Sequence, residues 1–290
     1  MSGKATAIVH GAATIVNAIA LGKGAAFGVD LWTKAEVKLT NEPDVILTEI
    51  TSDPKESTLL IEKTAAKVLK HYKLENRFGV KVKTQSNIPI ARGLKSSSAA
   101  ANATALAVTA ALEKPRDDLE IVRIGVEAAF EANVTVTGAF DDACASFFGG
   151  LVVTDNLQQK IIKQMPLTDD LIVLFHVPPR KAYTADSNVN RLKTIKPLVE
   201  IAFNMALEGK VWQALTLNGL VYSSASNLNT AIAIDALSAG ALAAGLCGKG
   251  PAVTTVVPRQ KIDSVRSALQ RYEGEILQTE LNNEKAKVIT

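Results

Sequence analysis

The chain has 290 residues, 47% hydrophobic and 21% charged, a balance that can bury a sizeable core and excludes wholesale disorder. Its net charge of +3 arises from lysines and arginines spread along the chain, and aromatics are only 5%, which argues against a phosphate-tracking basic block and a base-stacking platform. Two distant cysteines, Cys144 and Cys247, and three scattered histidines supply neither a disulfide framework nor a zinc-ligand spacing.

In chain order, Lys4 opens a mostly apolar stretch to Leu21 in which Ala18-Ile19-Ala20 imitates a leader-cleavage site. His10, Thr14 and Asn17 interrupt it, so a cytoplasmic protein is expected. No run of about 18 apolar residues occurs, and no membrane span is expected. Residues 5–9 and 14–20 read as strands, Gly22-Lys23-Gly24 as a turn and 27–39 as a further strand. A helix is expected over 55–72 and a half-buried strand over 79–84, where Val80 and Val82 alternate with Lys81 and Lys83. Residues 87–95 form a loop, followed by an alanine-rich helix to about residue 112 and a second helix over 119–132. Strands follow at 151–154 and 160–164.

Residues 171–177 read as a buried strand that starts a second domain, with the boundary between 1–166 and 167–290. Helices are expected over 191–209, 211–222 and 232–246, a strand over 252–257, a helix over 262–272 and a last strand over 275–279. No repeating strand–helix unit runs through the chain, so the fold class is α+β rather than doubly wound.

Three segments carry chemistry. Pro89-Ile90-Ala91-Arg92-Gly93-Leu94-Lys95-Ser96-Ser97-Ser98-Ala99-Ala100 is a loop feeding a helix N-terminus. Free first-turn N–H groups and the positive end of the helix dipole favour an anion there. Gly93 allows close backbone approach, Lys95 adds charge, and the hydroxyls can cap, bind phosphate or ligate magnesium. It is not a Walker A loop, and a serine-capped core helix is the commoner use of such a pattern. The second segment, Thr137 to Ser146, places Asp141 and Asp142 at the head of an apolar stretch, where a carboxylate can take a proton from a hydroxyl or hold magnesium; an N-cap Asp with a solvated neighbour explains it equally well. The third, Ala244-Gly245-Leu246-Cys247-Gly248-Lys249-Gly250-Pro251-Ala252, packs glycines as a loop near a ligand does, or as a plain helix end.

These segments, in this order, resemble the three motifs of the GHMP kinases, the family of galactokinase, homoserine, mevalonate and phosphomevalonate kinases. More narrowly, Thr14 to Ala20 with Gly22-Lys23-Gly24, and Gly138 to Ala143, resemble the archaeal type of shikimate kinase over nearly the whole chain. The resemblance implies an N-terminal unit like the second domain of ribosomal protein S5 and a ferredoxin-like C-terminal unit, with the active site in the cleft between them. It implies transfer of the ATP γ-phosphoryl group to the 3-hydroxyl of shikimate, with ATP and Mg2+. Pro89, Ala91, Arg92, Gly93, Leu94, Lys95, Ser96, Ser97, Ser98 and Ala99 would hold the nucleotide. Ser97 and Glu127 would hold magnesium, with Glu131 as the competitor. Asp141 would be the base. The family's first motif survives only as Gly3-Lys4 and His10-Gly11-Ala12, which makes Lys4 the candidate for its active-site lysine. Gly248 and Gly250 would line the cleft from the second unit.

A site for shikimate needs a cation for the carboxylate and polar groups for the ring hydroxyls. Asn17, Lys23, Arg180 and Lys181 are candidates by residue type and chain position. Expected partners are therefore small molecules, not nucleic acid or membrane, with a homodimer as the assembly to test. A homoserine or mevalonate kinase, a related ATP-dependent decarboxylase and a non-catalytic nucleotide sensor remain open. The Asp141–Asp142 pair speaks against a homoserine kinase.

Overall fold

The computed structural model describes residues 3–167, 170–180 and 189–290. The chain begins with a hairpin of two long strands, β1 (Lys4–Val16) and β2 (Lys23–Thr40). Sequence reasoning split β1 in two at residues 10–13. The strand instead runs through that point, because a register shift between His10 and Gly11 absorbs the irregularity. From Val9 onward β1 is buried on both faces, since helices of both halves of the molecule press against it.

β2 is long enough to serve two partners. Its second half pairs with β4 (Gly79–Ser86) and its first half with β5 (Leu151–Asp155), which in turn pairs with β6 (Lys160–Met165). β3 (Ile46–Ile50), absent from the sequence reading, lies parallel to β4 at one edge. β11 (Lys287–Val288), too short to carry a pattern, closes the other edge against β1. The chain segment leading to it is bonded to the first half: Asn282 N–H donates to the Gly28 carbonyl of β2 at 3.0 Å, and Ala286 N–H to that of Phe147, near the C-terminal end of the helix over 140–148, at 2.7 Å.

Three helices pack on this sheet, α1 (Leu59–His71), α2 (Ser96–Ala111) and α4 (Phe140–Phe148), and α3 (Asp118–Glu131) packs on those three. α2 is the central one. Its alanines keep its girth small, so β1, β2 and the other three helices all approach it closely.

The second sheet is antiparallel, in the order β10-β7-β9-β8, built from β7 (Leu171–Val177), β8 (Ala243–Leu246), β9 (Val253–Pro258) and β10 (Glu275–Glu280). Helices α5 (Val189–Lys193), α6 (Lys196–Leu207), α7 (Val211–Ala225) and α8 (Ala231–Ser238) lie between β7 and β8, and α9 (Ile262–Leu269) between β9 and β10. This is a ferredoxin-like strand–helix–strand–strand–helix–strand order.

Two expected helices are revised. Residues 191–209 are broken at Thr194 and Ile195, because Pro197 has no N–H to offer a helix interior and instead sits in the first turn of α6. Residues 232–246 are a helix only to Ser238. Gly240, at φ 108°, turns the chain, and the apolar run beyond it pairs as β8, a choice that an aperiodic Ala/Leu run does not reveal. One apolar core passes through both halves, with Phe27 of β2 meeting Trp212 of α7 edge-on at 5.4 Å. Among the described residues no helix is long and apolar enough to cross a membrane.

Candidate active site

Two helix N-termini face one cleft of about 270 Å³ between the halves. At the head of α2, Lys95 holds the N-cap position in the left-handed region (φ 65°, ψ 27°) and makes no side-chain cap. Ser96, Ser97 and Ser98 therefore lie within the first turn instead of capping it, and all three line the cleft with Ala91 and Gly93. At the head of α4, Ala139 caps in the same left-handed region (φ 50°), which brings Asp141 and Asp142 into the first turn, beside the positive end of the helix dipole.

The charges meet below the serines. Lys95 Nζ lies 3.0 Å from Asp142 Oδ2, with both side chains about nine-tenths buried. Burial works against the Lys95 ammonium, but Asp142, Cys247 and Asp141 outweigh it and the pKa ends above its ordinary range. Asp141 is 3% exposed. Burial, and then the neighbouring Asp142, push its carboxyl up to about 7, against the lowering effects of a hydrogen bond from Asn156 and of Lys95. One of the two readings of the sequence made Asp142 a solvated neighbour. It is buried, and its Oδ1 has no hydrogen-bond partner among the described residues.

The loop before α2 is stitched to the second half. Gly93, at φ 90°, could carry no side chain, since a Cβ there would lie 2.4 Å from the Cys247 carbonyl oxygen. Ala252 N–H donates to the Arg92 carbonyl at 3.2 Å. The Arg92 guanidinium turns away from the cleft to the carbonyls of Pro178 and Arg180. On the opposite wall, Asn17 Nδ2 donates to the Gly248 carbonyl at 2.9 Å, and Gly248 N–H to the Thr14 hydroxyl at 3.0 Å. A Cβ on Gly248 would meet Lys95 Nζ at 2.5 Å, so the bare backbone there makes room for the ammonium.

Of the residues singled out from the sequence, the structure gathers Asn17, Ala91, Gly93, Lys95, Ser96, Ser97, Ser98, Asp141, Gly248 and Gly250 around this cleft. Leu94 and Ala99 belong to the core beneath it, and Pro89 leads into the loop without lining it.

Four expectations are corrected. Lys4 begins β1, in a separate groove with Lys38 and Lys81, while the cleft is lined by Thr14 towards the strand's other end, roughly 30 Å away at about 3.3 Å per residue. Glu127 and Glu131 point outward from α3 and share Lys67 of α1, at 3.2 and 2.8 Å, so neither reaches the cleft. Lys23 lies over the Phe203 ring at 5.8 Å and does not line the cleft. Arg180 is exposed beside a different pocket, under His176 and Tyr272. Lys181 lies outside the described residues. Among the described residues, the cations lining the cleft are Lys95 and Lys249.

Sequence reasoning missed several contributors: Thr14 as a site residue, the wall at residues 133–137, the Lys95–Asp142 pair, and Asn156, Asn218 and Tyr222, which buttress the site. Apart from that wall, each acts through a contact with a distant part of the chain, and no local pattern marks such contacts.

Residues 60–150 match the model of the GHMP kinases N terminal domain. The chain is 45% identical to a shikimate kinase of Methanosarcina mazei over 282 residues, 97% of this chain and 95% of that one. It is 42% identical to a shikimate kinase of Methanothermobacter thermautotrophicus over 291 residues, covering 99% and 98%. The crystal structure of a homoserine kinase from Cytophaga hutchinsonii superposes with a TM-score of 0.76 at 16% identity, covering 100% of this chain and 98% of that one, which is a likeness of fold.

Proposed function

The chain belongs to the GHMP kinases, in their archaeal shikimate kinase branch, and from that premise we propose that it transfers the γ-phosphoryl group of ATP to the 3-hydroxyl of shikimate. The observation that carries the chemistry is the pairing of an anion-binding helix head with a buried carboxyl poised near neutrality in one cleft. Phosphoryl transfer asks mainly for positioning and for neutralisation of charge.

The first-turn N–H groups of Ser96, Ser97 and Ser98 have no intrahelical acceptors and point their partial positive charge at the phosphates. Lys95, charged and held by Asp142, adds a fixed cation at the same place. Magnesium supplies charge neutralisation between the phosphates when bound. The Ser97 hydroxyl fits as a protein ligand. With Glu127 and Glu131 turned away, and no cluster of three metal-binding side chains among the described residues, the ion would be held chiefly by nucleotide phosphates and water, as is usual for Mg2+.

Asp141 accepts the proton of the attacking hydroxyl. With its carboxyl at about 7 it is partly ionised at neutral pH, the condition under which a general base works best. The shikimate ring would lie between Asp141 and the wall at residues 133–137, with the carboxylate facing the cleft's own cations in place of Lys23 or Arg180.

The test is ADP release by the purified protein with Mg2+ and ATP, offering shikimate, homoserine and mevalonate in parallel. Release should require shikimate. Asp141→Asn should lower turnover by roughly 10²–10⁴-fold while leaving ATP affinity within about twofold. Normal turnover in that variant removes Asp141 from the role of base, and release with another acceptor removes shikimate.

A further inference from the structure

The carboxyl of Asp141 is gripped by a corner of the first sheet that lies outside all three sequence motifs. β2 and β5 pair so that Gly24 faces Thr154. Just past β5, Asn156 returns to this corner. Its N–H donates to the Gly22 carbonyl at 3.0 Å, its Oδ1 accepts from the Thr154 hydroxyl at 2.7 Å, and its Nδ2 donates to Asp141 Oδ1 at 2.8 Å. Thr154, Asn156 and Asp141 are all at least 96% buried. The amide can face only one way, because an ionised carboxylate offers acceptors alone and must meet the NH2 side, while the hydroxyl can supply a proton to the oxygen side. On the other flank, a Cβ built on Gly24 would lie 2.3 Å from Asp141 Oδ2 and 2.7 Å from its Cγ, so the carboxyl occupies the space a side chain would fill.

We propose that Asn156, oriented by Thr154 and opposed by the bare backbone of Gly24, is the positioning residue that fixes the Asp141 carboxyl for proton transfer. The assignment rests on the reading of Asp141 as the base. It also predicts an electrostatic consequence. The titratable and charged groups acting on Asp141 are Asp142 and Cys144 on α4, Lys95 at the head of α2 and Tyr222 on α7, while β2 brings the bare backbone of Gly24 against it. Removing the Asn156 amide leaves all of these in place and deletes one donor that favours the carboxylate, so the base should ionise at higher pH.

Asn156→Leu keeps the volume and removes the donor. Turnover should fall about 10–100-fold, as a small misplacement of a catalytic group costs. KM for ATP should stay within about twofold, and the acid limb of kcat/KM should move up by about one pH unit. Thr154→Val, which removes only the anchor of the amide, should move both quantities the same way by less. An Asn156→Leu enzyme with wild-type turnover and limb overturns the proposal. So does a fall in turnover with an unmoved limb, which is the signature of a loosened fold. Carbon-13 NMR of the Asp141 carboxyl in the free protein reads the same contact without any acceptor. If shikimate fails as substrate, the proposed function falls on the kinetic assay, while an upward titration shift in Asn156→Leu still upholds the contact and an unmoved titration still overturns it.

Discussion

Asp141 costs the protein stability, and the sign can be worked out. Its carboxyl ionises near 3.8 as an isolated group and at about 7 when folded. Between those values the folded state holds a proton that the unfolded state has released, so the Asp141 contribution to stability is most favourable below about pH 4 and declines as pH rises to about 7. Asp141→Asn, which cannot ionise, should therefore be more stable than the wild type at pH 8, by roughly 1–4 kcal/mol at ~1.4 kcal/mol per pK unit, with the gap closing towards pH 4. Thermal unfolding across that range measures it, and a gap that widens on acidification would refute the sign. The Lys95–Asp142 pair works the other way. Lys95→Met strands a buried carboxylate and should cost about 3–5 kcal/mol, read by denaturant unfolding. Lys4→Ala and Glu127→Gln, far from the cleft and on the outer face of α3, should leave kcat/KM within about twofold of wild type, as surface changes usually do. At this scale the sequence disclosed the groups that belong to a local motif. Asp141 and the three serines were legible because chemistry and chain position coincide in them. Asn156 was not, because its meaning comes from a carboxyl fifteen positions earlier in the chain, met through a strand pairing.

Among elements, α2 was readable from its alanine content and the loop before it, and β4 from strict alternation. β8 was not, because four small apolar residues follow a helix without changing period, and only pairing with β9 makes them a strand. The head of α2 also differed from expectation in a useful way. A left-handed Lys95 ends the loop, so the serine hydroxyls are not spent on capping. Ser97→Ala should accordingly leave helix and fold intact but raise the Mg2+ concentration needed for half-maximal turnover, which a magnesium titration of the rate would show. The β2–β5 corner makes a packing prediction of its own. Gly24→Ala should lower stability by about 1–3 kcal/mol through overpacking, and most of that loss should vanish in an Asp141→Ala background, where the opposing carboxyl is gone.

At the scale of the molecule, the two halves share one core and a set of buried hydrogen bonds at the base of the cleft. The Tyr222 hydroxyl donates to the Asn17 carbonyl at 3.0 Å and accepts from Ala20 N–H at 2.9 Å, while Asn218 Oδ1 accepts from Asn17 N–H at 3.1 Å. Tyr222→Phe leaves two buried backbone groups unpaired and should cost about 1–3 kcal/mol in denaturant unfolding. The α+β class follows from the mix of elements, which pattern reading supplied, whereas the ferredoxin-like order needs β8, which it missed, and was expected only from the family resemblance. The return of the last residues to the first sheet was not legible, since β11 is two residues long. That return has a consequence for how the protein is made. β11 is synthesised long after β1 and after every other strand of the first sheet, so a nascent chain on the ribosome carries that sheet with an open β1 edge until β11 emerges. An unpaired edge is a template for other chains. Until the segment that carries β11 emerges and pairs with β1, that edge is exposed to pairing with other chains.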